Sequence, residues 1–252
     1  MLLYHCVTDA PPPGLERWTV TESLFEQHLT VIADCGAELM TLSQLVTRLR
    51  SRTLDVAPVV VTFDDGWVDF AGAAERMAAR GIPSTLYMTS DFLGRPGCLT
   101  TGDLRAAMQS GVEIGAHGCS HRHLDVLSRE MLIREVREPR AVLEDALQVR
   151  IPSFAYPHGS YDRRVRRCVV DAGYDSAAAV KHAFSHPDDD VFGLARLMLT
   201  CDTSAKDLAR LLRHEDAPSA WHRERLRTKA YRAYRRTRHA LPGRRTAGTA
   251  TG

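Results

Sequence analysis

Ala57-Pro58-Val59-Val60-Val61-Thr62-Phe63-Asp64-Asp65-Gly66 is a short apolar run that ends on two adjacent carboxylates and a glycine. β-Branched and aromatic residues bounded by Pro and Gly predict a buried strand over Val59–Phe63. Two carboxylates at the exit of such a strand are costly to place unless a cation sits between or beside them. Working outward, six more runs read as strands: Leu2–Val7, Ser84–Met88, Val112–Ala116, Ser153–Tyr156, Ser176–Val180 and Leu194–Leu199. Helical patterns fall between them. Ser23-x-x-Glu26 and Thr41-x-x-Gln44 read as capping boxes, Trp67–Arg80 stops at Gly81, Asp103–Ser110 stops at Gly111, and Tyr161–Ala172 stops at Gly173. Ser128 opens a longer helix to about Leu147, with a kink or break expected at Pro139, and Ser204–His214 closes the series. This alternation predicts an α/β protein. About seven strand–helix pairs make it an incomplete or distorted (β/α) barrel rather than an eight-fold one. In such barrels chemistry gathers at the C-terminal ends of the strands. Asp64, Asp65, His117 and Tyr156 each lie at or just past such an end.

His117-Gly118-Cys119-Ser120-His121 supplies what the carboxylates need. Two imidazoles four residues apart, expected on one side of a helical turn, join one carboxylate as three protein ligands. That leaves one coordination position open, as catalytic zinc-type sites require. The other carboxylate is then free to act as a base. The competing readings are a turn, since Asp-Gly is a common turn dipeptide, and a surface histidine cluster that includes His123. A third segment, Phe154-Ala155-Tyr156-Pro157-His158-Gly159-Ser160-Tyr161-Asp162, leaves a strand as a Pro- and Gly-punctuated loop. Such a loop can wall a cleft or aim backbone N–H groups at an oxyanion, and it equally fits an ordinary connection.

The chain has 252 residues, 44% hydrophobic and 25% charged, as expected of a globular protein. Its charge is asymmetric: residues 217–252 carry ten Lys/Arg against the single acid Glu224, leaving 23 basic and 30 acidic residues in the remainder. We therefore expect a catalytic domain over residues 1–215 and a basic tail over 216–252, partly helical or disordered. Attachment to an anionic membrane surface or another polyanion is the sharper reading of the tail, and a solvated charged face the plainer one. No recognition module accompanies it, so nucleic acid is not an expected partner. Six widely spaced cysteines without a C-x-x-C pair read as reduced thiols. Met1–Val7 offers neither a basic stretch nor an apolar run long enough for a signal peptide, which predicts a cytoplasmic protein. The chain opens inside a strand, which leaves room for a leader upstream.

Thr62-Phe63-Asp64-Asp65-Gly66, His117-Gly-Cys-Ser-His121 and Phe154-Ala-Tyr-Pro157-x-Gly159-x-Tyr161-Asp162, in this order and spacing, resemble the polysaccharide deacetylase family (NodB homology, carbohydrate esterase family 4). Leu3-Tyr4-His5, the run Ser110–Gly115, His123-Leu124 and Ala172-Gly173-Tyr174 are similar to that family too, so the resemblance spans about residues 1–200. It implies a NodB-type distorted barrel that removes an N-acetyl group from an amino sugar. Asp65, His117 and His121 would hold one divalent metal, commonly zinc. Asp64 would be the general base, and Tyr156, Pro157 and His5 would face the substrate. Two positions depart from the pattern. The third motif usually carries an arginine that orients the base, where this chain has Ala155. A late histidine usually supplies the general acid, and Leu197-Met198-Leu199-Thr200-Cys201 has none, leaving His158, His182 or His5 as substitutes. These departures keep two rivals in view: deacylation of a small molecule of a biosynthetic pathway, and a glycan-binding barrel without turnover.

Overall fold

The computed structural model describes residues 1–181 and 183–215; the tail expected over 216–252 and His182 lie outside the described residues. In chain order the strands are β1 (Leu2–Tyr4), β2 (Cys6–Val7), β3 (Thr19–Val20), β4 (Val61–Asp65), β5 (Ser84–Met88), β6 (Val112–Ala116), β7 (Ser153–Ala155), β8 (Ser176–Val180) and β9 (Leu194–Met198). The helices are α1 (Glu22–Ala33), α2 (Leu42–Ser51), α3 (Phe70–Ala78), α4 (Thr101–Gln109), α5 (Arg129–Leu147), α6 (Arg163–Asp171) and α7 (Ala205–Leu212). β1, β4, β5, β6, β7, β8 and β9 pair in parallel in that order, and β9 returns to β1, so the seven strands close a barrel. β2 and β3 form a separate parallel pair. The expected seven-strand α/β barrel is thus observed, closed rather than incomplete.

Strand side chains alternate between two faces, and here the two faces feed two separate cores. Val60, Tyr87, Ala155, Ala178 and Leu194 point into the lumen and cluster with Met40, Leu42, Leu45 and Val46 of the α2 segment. Leu2, Tyr4, Phe63, Leu86, Ile114, Phe154 and Ala177 point outward and bury the apolar stripes of the surrounding helices. The lumen is tight: a Cβ on Gly115 would lie 2.6 Å from the Tyr87 ring and 2.7 Å from Ser153 Oγ.

The start of α2 plugs one end of this lumen. Leu42 N–H donates to Thr85 Oγ1 at 3.0 Å and Ser43 N–H to Glu113 Oε2 at 3.0 Å, both acceptors lying near strand starts. Thr41 caps α2 through the expected reciprocal box with Gln44. Chemistry is left to the other end, where the strands finish.

Three local expectations are corrected. The α1 cap is Thr21, whose hydroxyl accepts from Leu24 N–H, and not Ser23. The Glu26 carboxylate expected to complete the Ser23 box instead pairs with Arg76 at 2.9 Å and with Arg80. Helix α5 runs through Pro139 unbroken, its apolar face packed across Leu132, Val136, Leu143 and Leu147. The first strand ends at Tyr4, and His5 separates it from β2. All six cysteines are free thiols. Among the described residues no helix is long and apolar enough to cross a membrane.

Candidate metal centre and active site

Strand β4 runs through both carboxylates, and the chain then turns on Asp65 (φ +76°) and Gly66 (φ +96°). A Cβ at Gly66 would sit 2.1 Å from Met88 Sδ, so the turn favours glycine for its left-handed backbone and any larger residue would have to displace the Met88 side chain. Pleating sends Asp64 inward along the lumen face of Thr62, while Phe63 joins the outer core.

Asp64 is 3% exposed and held by a residue that sequence reading did not single out. Arg196, wholly buried on β9, spans its two oxygens, Nη1 to Oδ1 at 2.6 Å and Nη2 to Oδ2 at 2.8 Å. Arg196 also lies 5.2 Å over the Tyr87 ring, a cation–π contact that completes its burial. Burial alone would raise Asp64; the Arg196 charge and hydrogen bonds, helped by His117, outweigh it and bring the carboxyl down to about 2. Asp64 is therefore an oriented, fully ionised carboxylate.

His117 follows directly on β6, its N–H bonded to Met88 O at 2.9 Å. The 2.9 Å bond from Nδ1 to Ala155 O makes Nδ1 the protonated nitrogen and leaves the Nε2 lone pair free. Nε2 faces Asp64 Oδ2 and Asp65 Oδ1, each at 3.6 Å. His121 Nε2 lies 3.2 Å from the same Asp65 Oδ1. The connecting residues are not helical, contrary to expectation: Gly118 (φ +77°) and His121 (φ +56°) fold the segment back so that the two rings stand 5.0 Å apart. Burial pushes His117 down to about 3 and lowers His121, so both are neutral, as metal ligands must be. Burial, reinforced by the Asp64 charge, raises Asp65 to about 6.

These atoms fit a cation. One atom from each of Asp65, His117 and His121 lies within 4.8 Å of the other two. Asp65 Oδ1 is buried with no hydrogen-bond partner among the described residues, while Oδ2 accepts from Trp67 Nε1–H at 3.1 Å. An anionic oxygen without a hydrogen-bond partner beside two neutral imidazoles is a donor set that would fit a divalent ion such as zinc.

The remaining expected residues fall around this centre unequally. His5 is close enough to sense both Asp64 and Asp65, burial lowers its pKa, and its Nδ1 has no partner among the described residues. Pro157 is buried against the loop, its Cγ 3.3 Å from where a Gly118 Cβ would stand. Tyr156 is turned away: along β7, Ala155 faces the lumen and Phe154 and Tyr156 the outer core. The Tyr156 hydroxyl donates to Phe192 O at 2.8 Å and its N–H to Ala178 O at 3.0 Å, so both donors are committed inside the fold. Exposed His158 (φ +57°) donates from Nε2 to His121 O at 3.1 Å and packs, tilted, between the His121 and His123 rings, with centroids at 4.3 and 3.9 Å. Ala155 serves through its carbonyl, and the guanidinium expected at its position arrives from β9. The signal for Arg196 was in the sequence: a lone charge inside Leu194-Ala-Arg-Leu-Met, two residues from lumen-facing Leu194.

The polysaccharide deacetylase family model matches residues 51–177. YxkH of Bacillus subtilis strain 168, a provisionally named polysaccharide deacetylase, is 22% identical over 205 residues, 79% of this chain and 71% of that protein. Among solved structures, the Streptococcus pyogenes deacetylase PplD in complex with acetate superposes with a TM-score of 0.78 at 20% identity, covering 84% of this chain and 96% of that one. IcaB from Ammonifex degensii gives 0.73 at 20% identity, covering 84% and 95%. With half of its length matched by the family model and both aspartates and both histidines inside that match, the chain belongs to the polysaccharide deacetylase family.

Proposed function

We propose that this protein is a metal-dependent hydrolase that removes an N-acetyl group from an amino sugar in a glycan, lipid-linked saccharide or sugar conjugate. Asp65, His117 and His121 hold the ion and Asp64 is the general base. The observation that carries the reading is the placement of the Arg196-clamped Asp64 carboxylate 3.6 Å from His117 Nε2, beside the three-ligand set rather than within it. A divalent ion held by these three residues would supply Lewis acidity to a water and to the amide carbonyl. Asp64 takes the proton of that water, and the bidentate Arg196 fixes which lone pairs face the reaction. His5, half-buried near both carboxylates with a buried Nδ1 that has no partner among the described residues, is the substrate-facing group at the β1 end, and buried Pro157 shapes part of the wall.

Arg196 also bears on the rival without turnover. That reading drew on the missing arginine of the third motif and on the absent late histidine; the first is answered, since a guanidinium from another strand grips Asp64. The test is an acetate-release screen over N-acetylated sugars, polymeric and lipid-linked, with metal analysis of the same preparation. Asp64→Asn should keep the metal and lose acetate release, whereas His121→Ala should lose both. A wild-type protein that holds zinc but frees no acetate from any of these sugars would refute the amino-sugar deacetylase reading and favour the glycan-binding barrel.

A further inference from the structure

The loop between the two ligand histidines is anchored from its far side. Glu135 of α5 accepts Cys119 N–H at 2.9 Å and Ser120 N–H at 3.0 Å on Oε2, and the Ser120 hydroxyl on Oε1. These three donors belong to the only residues besides Gly118 that connect His117 to His121. Glu135 is 6% exposed, and a carboxylate so buried is retained only where its lone pairs are satisfied. A Cβ on Gly118 would lie 3.3 Å from Oε2, so glycine lets the main chain approach this closely. Pro139, one turn along α5, has no N–H, which leaves the Glu135 carbonyl without its helical donor on the same side of the loop. Meanwhile His121 holds a left-handed backbone, uncommon for a non-glycine residue, that the anchored loop helps to fix.

We propose that Glu135 is the positioning residue that holds His121 in ligating geometry, so that cation affinity at Asp65, His117 and His121 depends on a carboxylate from α5. The inference rests on the metal-site reading above. Ligand distances tolerate errors of about 0.2 Å, and a loop freed at Cys119 and Ser120 no longer fixes Nε2 of His121 to that tolerance. The experiment measures the zinc dissociation constant of the full chain by competition with a chromophoric chelator, with far-UV circular dichroism to verify folding. Glu135→Ala should weaken zinc binding about 10- to 100-fold, the range found for partners behind a ligand, and Ser120→Ala should weaken it less. Glu135→Gln should recover most of the affinity. Its carbonyl can accept the two backbone N–H groups while its amide donates to the Ser120 oxygen. A folded Glu135→Ala protein with wild-type zinc affinity overturns the proposal, as does a glutamine variant as weak as the alanine one. Should Glu135→Ala fail to fold, an unchanged constant in Ser120→Ala overturns it. A wild-type chain that binds no zinc would instead refute the metal site itself, and this proposal with it.

Discussion

A carboxylate buried at 3% exposure and gripped by two guanidinium N–H groups stays ionised far below neutrality, which is the state in which Asp64 can accept a proton. The arrangement makes a prediction about Arg196→Lys. Lysine keeps a positive charge but loses the planar fork and one of the two hydrogen bonds. Burial, no longer fully opposed, then raises the Asp64 pKa, and the acid limb of kcat/KM moves to higher pH because the base must be unprotonated. We expect a fall of about 100-fold in kcat/KM at neutral pH, within the range of general-base effects. A variant with the wild-type rate and an unmoved acid limb would show that Arg196 does not orient the base. Asp64, Asp65, His117 and His121 were legible in the sequence because each sits within a few residues of a strand end, where local pattern and chemistry coincide. Arg196 showed only as a lone charge in an apolar strand, and its role was hidden because its partner lies 132 positions away and only closure of the barrel brings them together. Tyr156 misled for a related reason: its place at a strand end was read correctly, but its parity along β7 sends the side chain outward.

Elements were legible where their signals are local. The centres of β5, β6 and β8 fall where apolar runs of five residues predicted them, and the Thr41 and Ser128 caps are where their spacing put them. Thr21 was preferred over Ser23 because Glu26 is drawn to Arg76 and Arg80, residues 50 and 54 positions on, which a local pattern cannot show. Pro139 is tolerated because the packed face of α5 outweighs one missing hydrogen bond. The turn that ends β4 is the element on which the site depends, and Gly66→Ala tests it. The substitution meets a positive φ and a Cβ 2.1 Å from Met88 Sδ. Strain of this kind costs about 1–3 kcal/mol, and the sulfur must also move, so we expect about 3 kcal/mol lost in urea unfolding. Adding Met88→Ala should relieve the steric part of the Gly66→Ala defect and not the backbone part, read as a non-additive double-mutant cycle. A Gly66→Ala protein within about 0.5 kcal/mol of wild type, the scatter of an ordinary surface change, would mean that the turn is not constrained as described.

Across the whole molecule, the number of barrel strands was readable from the sequence, but the separate β2–β3 pair and barrel closure were not. That closure rests on the β1–β9 pairing of Leu2 with Leu197 and Leu3 with Met198, two registers contributed by opposite ends of the fold. Closure concentrates two carboxylates, two ligand imidazoles and a guanidinium at one barrel end, and this ties global stability to pH and to the ion. In the metal-free protein Asp65 is raised by burial to about 6, so between its ordinary value near 4 and about 6 the folded state binds the extra proton. That contribution to stability is present at low pH and lost as pH rises through about 6. His117 works oppositely: lowered to about 3, it adds stability at neutral pH that is lost as pH falls from about 6.5 towards 3. A divalent ion needs Asp65 ionised and both imidazoles neutral, so its stabilisation should be full above about pH 6 and shrink below, as protons compete for Asp65. At a thousand-fold excess over Kd the gain is about 4 kcal/mol, or roughly 10 °C in Tm for a domain of this size. Thermal unfolding with chelator and with zinc, at pH 7.5 and at pH 5, reads this directly. The zinc-induced shift should be largest at the higher pH and absent from His121→Ala. A shift that survives His121→Ala, or that grows as the pH is lowered, would place the stabilising ion somewhere other than between Asp65, His117 and His121.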